Sequence, residues 1–240
     1  MNRARLWSYA GWQARDFVVE RGAPLIIVAF LITSPLIVAL RRMRETMTPL
    51  RAEVTIVELF GQLALIAVLI GINGVVSNDR VRGYYRFLFA KPVSIPRYYA
   101  QAYAVNGLGL AAATLGVLGA IYALGYPIFV PRVLLMVGLF YVSLGGVGFL
   151  YSTVARFDWI LMGATLGLAH VLRDFYPAHA SRAGRVIDVI LPPYHRLIDV
   201  GKELARGGTP ESTTVLWLLA WGIGGVVIGL LILRRRPLAA

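Results

Sequence analysis

Residues 55–76 read TIVELFGQLALIAVLIGINGVV, and residues 77–97 continue as SNDRVRGYYRFLFAKPVSIPR. The first segment has the length of a bilayer crossing, which requires about 20 mostly apolar residues. Its strongly polar interruptions are Glu58, Gln62 and Asn73. The second segment is too polar to cross and too rich in arginine and aromatic residues to be a plain loop. Together they predict a spanning helix that leads into a structured segment at the membrane surface.

The composition of the whole chain indicates a membrane protein. Of its 240 residues, 58% are hydrophobic and 15% are charged, against about 45–50% and about 25% in ordinary soluble proteins. The net charge is +12, and all basic residues except Lys91 and Lys202 are arginines. In a soluble protein that charge would suggest nucleic acid. Here the arginines flank apolar runs, which indicates membrane topology and contact with anionic lipids instead.

We predict an all-α membrane protein with six transmembrane helices in a single domain over residues 1–240. The first run ends in arginines and exceeds the roughly 7–15 apolar residues of a signal peptide, which is the alternative for it. The fifth is the weakest, because only Trp159–Leu172 is continuously apolar, and its alternative is a half-span or a buried surface helix. The predicted spans are residues 22–40, 55–76, 100–124, 133–155, 157–176 and 214–233.

Two amphipathic regions are predicted outside the spans. Residues 4–20 form an interfacial helix lying on the membrane plane, with a poorly ordered tail as the alternative. Residues 177–212 form an extracytoplasmic region with short helices over Ser181–Leu191 and Tyr194–Arg206, separated by Pro192-Pro193 because proline breaks the helical ladder. The apolar face predicted for the N-terminal helix consists of Leu6, Trp7, Ala10, Ala14, Phe17 and Val18.

The orientation follows from the distribution of lysine and arginine, which are enriched in cytoplasmic loops. With a cytoplasmic N-terminus, 13 of these residues lie inside and 11 outside. The outside group includes a long loop, where the rule weakens, and the first outside loop also holds Glu45 and Glu53. We therefore predict that both termini are cytoplasmic.

The segment after the second span predicts a cytoplasmic helix between spans two and three. Ser77 or Asn78 is expected to cap its start, where Asp79 suits the helix dipole, and Lys91-Pro92 is expected to end it near Ala90. Arginines combined with aromatic residues are typical of protein–protein hot spots, and the alternative is a helix that only anchors on lipid. The helix offers Arg80, Arg82, Arg86, Tyr84, Tyr85, Phe87 and Phe89.

No Walker loop, HExxH or GxSxG motif occurs in the sequence, and there is no cysteine. Polar residues inside the spans are candidates for a translocation path, and Glu58, Asn106 and His170 are the ones predicted. The alternatives are a Glu58 side chain that reaches the head groups, paired with Arg51, and a His170 that only packs. Small residues four apart, Gly163–Gly167 and Gly225–Gly229, predict a helix–helix or dimer seam, although membrane helices are generally rich in glycine.

The segment from Asp79 to Tyr99 resembles the loop after the second span of ABC-2 type transporter permeases. The matching features are Asp79-x-x-x-Gly83, Tyr84-Tyr85-Arg86-Phe87-Leu88, Lys91-Pro92-Val93-Ser94 and Arg97-Tyr98-Tyr99. The acid is Asp79 where the family more commonly has glutamate. The layout of essentially the whole chain is also similar, with an N-terminal interfacial helix, six spans and short amphipathic helices before the last span.

The resemblance implies a permease subunit of an ATP-binding cassette exporter in a prokaryotic cytoplasmic (inner) membrane, and not an enzyme. It implies a dimer with a second permease subunit that docks separate ATP-binding subunits, so that ATP and magnesium belong to the partner and this chain binds no cofactor. The implied docking and coupling residues are Asp79, Gly83, Tyr84, Tyr85, Arg86, Lys91 and Pro92, beside Arg80 and Arg82 of the same helix.

Two alternatives of other classes stay open from the sequence. A secondary transporter or channel would need buried charges near the midplane, and the polar span residues form no evident pair. An integral membrane enzyme would need a nucleophile with a base, or a metal constellation, and no such motif is found. Membrane lipids are expected contacts in every case, and nucleic acid is not.

Overall fold

The computed structural model describes residues 3–42, 49–83, 94–126, 129–176 and 182–235. Every regular element within these ranges is helical, which confirms the all-α prediction for this part of the chain. A π-helical turn, Val18–Gly22, joins the first helix to the second. In chain order the helices are α1 Arg3–Phe17, α2 Ala23–Arg42, α3 Pro49–Ile72, α4 Ser77–Arg82, α5 Ile95–Ala123, α6 Val130–Val154, α7 Asp158–Phe175, α8 Arg182–Ile190, α9 Tyr194–Ala205 and α10 Ser212–Arg235.

Within the described residues, four helical segments are long and apolar enough to cross a membrane. The first is Ala64–Arg82, which comprises the last turns of α3, the turn after it and α4. The others are the helices Ile95–Ala123, Val130–Val154 and Ser212–Arg235. The 18-residue helix α7 contains three charged residues and is not among the four. The composition of these segments is that of a membrane protein.

Helix starts differ from the predicted spans where proline is present. Helix α3 begins at Pro49, six residues before the predicted span, and α5 begins at Ile95, five residues before it. Pro96 and Pro131 lie in the first turns of α5 and α6. Proline suits a first turn because its missing N–H has no intrahelical acceptor there, so these prolines extend the helices beyond the apolar runs.

Helix α6 occupies the centre of the molecule and packs most extensively against α10 and α3. Leu144 and Phe149 are completely buried, and so is Leu218 on α10. A helix that is apolar around its whole circumference belongs in the interior of a bundle. The central position of α6 follows from that pattern.

The contact between α6 and α10 is made by backbone against backbone. A Cβ atom added at Gly146 would overlap the carbonyl oxygen of Gly222, and one added at Gly222 would overlap that of Val142. At Gly225 it would lie 2.6 Å from the carbonyl oxygen of Gly146. The glycines of α10 therefore form a seam within the chain. By contrast, the predicted pair Gly163–Gly167 on α7 faces open space.

The helices bring two sets of segments together at opposite ends of α6. At one end, Val76, Tyr99, Phe149 and Leu233 share a buried cluster, which joins the start of α5 to the ends of α6 and α10. At the other end, α9 packs on α3 and α6, close to Gly61 and Phe140. Helix α7 begins at the first end and contacts α8 and α9 at the second. We call the first, where the bend over residues 73–83 lies, the knuckle end, and the second the α9 end.

The N-terminal helix α1 packs on α5 with a face that differs from the predicted one. Phe17 belongs to the predicted apolar face and is buried, next to Gly109. Gln13 is also buried and donates a hydrogen bond to the carbonyl of Tyr98 at 3.2 Å. Val18, placed on the apolar face by the 100° periodicity, is 66% exposed. Ala14, also on the predicted face, is exposed as well. The buried face therefore contains Gln13 and Phe17, which are four residues apart and share one side of the helix.

We expect the glycine seam to be sensitive to a single methyl group. Gly146→Ala or Gly222→Ala should destabilise the chain by about 1–3 kcal/mol, because the added carbon meets backbone that cannot move aside. Gly138→Ala and Gly224→Ala lie on the same two helices but face open space, so they should be neutral or slightly stabilising. Thermal unfolding in detergent measures the difference. Equal melting temperatures for all four variants would show that α6 and α10 do not pack this closely.

Candidate functional site

Residues 73–83, the described stretch that follows α3, form a compact bend, which we call the knuckle. Its turn contains Gly74 at φ +76°, and α4 ends at Gly83 at φ +70°, both in the left-handed region that favours glycine. The predicted uninterrupted helix to Ala90 is therefore wrong, because Gly83 ends it after Arg82. Five of the predicted docking residues lie outside the described part of the chain: Tyr84, Tyr85, Arg86, Lys91 and Pro92.

The start of α4 is held by a residue distant in sequence. The predicted cap by Ser77 or Asn78 is wrong, since Val76 holds the cap position without a side-chain bond and Ser77 is buried inside the helix. Instead, the carboxylate of Asp158 accepts a hydrogen bond from the Gly74 amide at 2.8 Å. It also accepts one from the Trp159 amide at 3.0 Å. Asp158 thus joins the knuckle to the first turn of α7.

Arg80 connects the knuckle to the last turn of α6. Its guanidinium donates a hydrogen bond to the carbonyl of Thr153 at 2.8 Å. The last four carbonyls of a helix have no intrahelical partner and form the negative end of its dipole. A cation at this position therefore satisfies an acceptor and interacts favourably with the dipole.

Asp79 connects the knuckle to the first turn of α5. Its carboxylate accepts a hydrogen bond from the hydroxyl of Tyr99 at 3.1 Å, and the Tyr99 ring is completely buried. The ring also packs edge-on against Tyr98, with centroids 5.1 Å apart. A buried tyrosine hydroxyl requires a polar partner, and Asp79 supplies it.

The N-terminal element contacts both ends of the knuckle. Arg21 donates a hydrogen bond to the carbonyl of Asn73 at 3.2 Å, and Glu20 forms an ion pair with Arg82. Both members of that pair are partly exposed, so the pair stabilises by only about 0.2–1 kcal/mol. Partial burial, followed by the neighbouring Glu20 carboxylate, raises the pKa of Asp16 on the same element, and nearby arginines oppose that rise.

These contacts tie the knuckle to four other parts of the chain: the N-terminal element, α5, α6 and α7. Displacement of α4 would therefore act on all four at once. The two residues that point inward to make the contacts are Asp79 and Arg80, whereas Val81 is 50% exposed on the outer side. The arrangement can receive a partner on its outer surface and transmit displacement through its inner one.

The three residues predicted for a translocation path are not all brought together. Glu58 lines a cavity of about 360 Å³ at the α9 end, and His170 lines a neighbouring one of about 180 Å³. Asn106 is buried in α5 and lines neither of them. Glu58 and His170 are brought near each other by α9, which lines both cavities. The sequence of the spans alone does not predict this proximity, because α9 lies outside them.

Asp158 holds the knuckle in place, and the local sequence pattern does not reveal this contact. An aspartate at the start of a helix is usually explained by the helix dipole, and Asp158 does accept a hydrogen bond from the Trp159 amide. Its bond to Gly74 joins residues 84 positions apart, and no local pattern reports such a contact. Over the described ranges, no group of three or more His, Cys, Asp or Glu side chains could hold a metal ion.

Comparison of the chain with protein-family models and with curated proteins finds no match.

We expect Asp158→Ala to loosen the knuckle. The substitution leaves the Gly74 amide without its acceptor, which costs about 1–3 kcal/mol for a buried group. Amide hydrogen exchange over residues 73–82 should accelerate accordingly. Glu20→Gln, which removes only the exposed ion pair with Arg82, serves as the comparison and should change exchange much less. Equal exchange in both variants would mean that the Asp158 bond does not hold the knuckle.

Proposed function

We propose that the chain is the membrane-spanning permease subunit of an ATP-binding cassette exporter. In this proposal a separate subunit hydrolyses ATP, and the knuckle receives the resulting displacement. The observation that supports it most is the set of inward bonds from Asp79 and Arg80, which link the segment resembling the ABC-2 coupling loop to the body of the molecule.

The proposal includes six crossings, by α2, α3, α5, α6, α7 and α10. An even number returns the chain to the side on which it started, in agreement with the shared position of α1, the knuckle and the end of α10. Support for the fifth crossing comes from α7, whose first residue bonds to Gly74 and whose later turns contact α9. Charge within the α7 ends, such as Asp158 and Arg173, is compatible with a crossing when it lies at the two interfaces.

The knuckle end would lie in the cytoplasm and the α9 end outside. Arg80, Arg82, Arg156 and Arg234 belong to the knuckle end, and positive residues near span ends favour the cytoplasmic side. The α9 end is also basic, but Arg182, Arg185 and Arg196 there belong to the long segment before α10, where that rule weakens. That placement exposes Val81 and Arg82 to a soluble ATP-binding subunit. It also keeps the short helices α8 and α9 on the outer surface, next to the cavities.

In the proposed cycle, ATP-driven closure of the partner subunits moves α4. Asp79 passes that movement to Tyr99 at the start of α5, and Arg80 passes it to the end of α6. Because α6 and α10 meet backbone to backbone, the displacement of one shifts the other. A second permease subunit would complete the pathway, with the substrate passing between the two.

The proposal separates docking from coupling, and two variants test the two steps. Val81→Asp alters the outer surface of α4 and should reduce co-purification with the cognate ATP-binding subunit, because a charge replaces an apolar contact. Arg80→Gln breaks the inward bond to Thr153, so it should leave co-purification intact but lower stimulation of ATP hydrolysis and transport in proteoliposomes.

Arg185→Gln provides the matched control, since this arginine is exposed on α8 at the opposite end. It should leave both co-purification and stimulation unchanged. Wild-type behaviour of both Val81→Asp and Arg80→Gln would refute the assignment of the knuckle as the docking and coupling element. Substrate transport by the purified chain without any ATP-binding subunit would refute the exporter proposal as a whole.

A further inference from the structure

Two adjoining cavities lie at the α9 end. The larger, of about 360 Å³, is bounded by α3, α6 and α9, and the smaller, of about 180 Å³, is bounded by α7 and α9. Three residues of α9 line both of them: Tyr194, Ile198 and Lys202. The two cavities are therefore parts of one recess, with a single face of α9 between them.

The spacing of these three residues explains their shared position. They are four apart in sequence, and residues four apart lie on one face of a helix. A different set of α9 residues contacts the core: Leu197, Val200 and Leu204 are buried. Helix α9 thus rests on the bundle by its apolar face and presents the stripe of Tyr194, Ile198 and Lys202 to the recess.

Cations outnumber carboxylates around the recess. Lys202 lines both cavities, Arg206 lines the larger and Arg173 the smaller, whereas each cavity has one carboxylate, from Glu58 and Asp199 respectively. The Nη1 atom of Arg173 is buried, and no described residue accepts a hydrogen bond from it. An unmade bond from a buried charged donor is costly, so this recess favours an anionic acceptor.

The larger cavity also has an apolar wall. Leu65 of α3, Phe140 of α6 and Ile198 of α9 line it. Concave sites that combine an apolar wall with a few charged groups are the usual form of small-molecule sites. A purely inorganic anion would leave this wall against water, whereas a ligand with an apolar body would cover it.

We propose that the recess binds an amphipathic organic anion, with its charged group at Lys202 between Arg173 and Arg206 and its apolar body against Leu65, Phe140 and Ile198. The inference deepens the proposed function, because it names the class of compound that the exporter would release at its outer face. A soluble organic anion and an anionic phospholipid share this chemistry, and the test separates them.

The test uses the full chain in phosphatidylcholine nanodiscs and octyl phosphate as the probe. Titration calorimetry measures octyl phosphate binding, and empty nanodiscs give the background from binding to lipid. We expect saturable binding to one site. Octyl trimethylammonium, which has the same chain with a positive charge, should not bind, and inorganic phosphate should bind at least tenfold more weakly. Equal binding of octyl trimethylammonium would overturn the anionic assignment, and equal binding of inorganic phosphate would overturn the apolar one.

Substitutions identify the recess as the site. Lys202→Gln should weaken octyl phosphate binding about tenfold, through loss of a charge-assisted bond, and Lys202→Arg should retain it. Arg185→Gln is the matched control, because Arg185 is exposed on α8 and lines neither cavity. Unchanged binding in Lys202→Gln, at an unchanged melting temperature, would overturn the proposal.

Phosphatidylglycerol added to the nanodiscs distinguishes an anionic phospholipid from a soluble organic anion as the natural occupant. If it competes with octyl phosphate, the occupant is a lipid head group, and if it does not, the occupant is a soluble anion; both results support the recess as an anion site. The binding measurement involves no ATP-binding subunit. Failure of binding with normal co-purification would therefore overturn only this inference, and binding without any co-purification would overturn only the proposed function.

Discussion

The carboxylate of Asp158 accepts a hydrogen bond from the backbone amide of Gly74, and the position of the knuckle depends on this contact. Asp158 is 5% exposed, so its charge is unfavourable unless it is hydrogen-bonded. Two backbone amides and the positive end of the α7 dipole offset that cost. The same interaction orders the turn after α3, because Gly74 adopts a left-handed conformation that brings its amide to the carboxylate.

With that turn in place, two further contacts of α4 follow from the positions of neighbouring residues on the helix. Asp79 and Arg80 are consecutive, so their side chains diverge and reach two different helices, α5 and α6. From there the connection to the α9 end is made by packing and not by polar bonds. Helix α6 is buried along most of its length, and α10 meets it backbone to backbone. A close-packed interior of this kind transmits displacement because it cannot be compressed.

The sequence was sufficient for the features that depend on local patterns. Apolar runs identified the helical segments, and Pro192-Pro193 separated α8 from α9 where expected. It was insufficient where the fold joins distant residues, as in the bond between Asp158 and Gly74, or in the cavity that Glu58 lines together with the stripe on α9. The end of α4 at Gly83 was misjudged because the aromatic pattern beyond it outweighed the glycine. The face of α1 was misjudged because the periodicity groups residues by hydropathy, and it does not show that Gln13 is buried by a hydrogen bond to the distant carbonyl of Tyr98.

In the proposed mechanism, displacement enters the chain at the knuckle, from the cytoplasmic side. The chain contains no cysteine, so a single cysteine at Val81 can be cross-linked without background in intact cells. We expect Val81→Cys to cross-link to the ATP-binding subunit and not to be labelled by an impermeant maleimide added outside. Thr209→Cys, exposed near the α9 end, should be labelled by the maleimide and should not cross-link. Labelling of Val81→Cys from outside, or no cross-link to the ATP-binding subunit, would contradict the account.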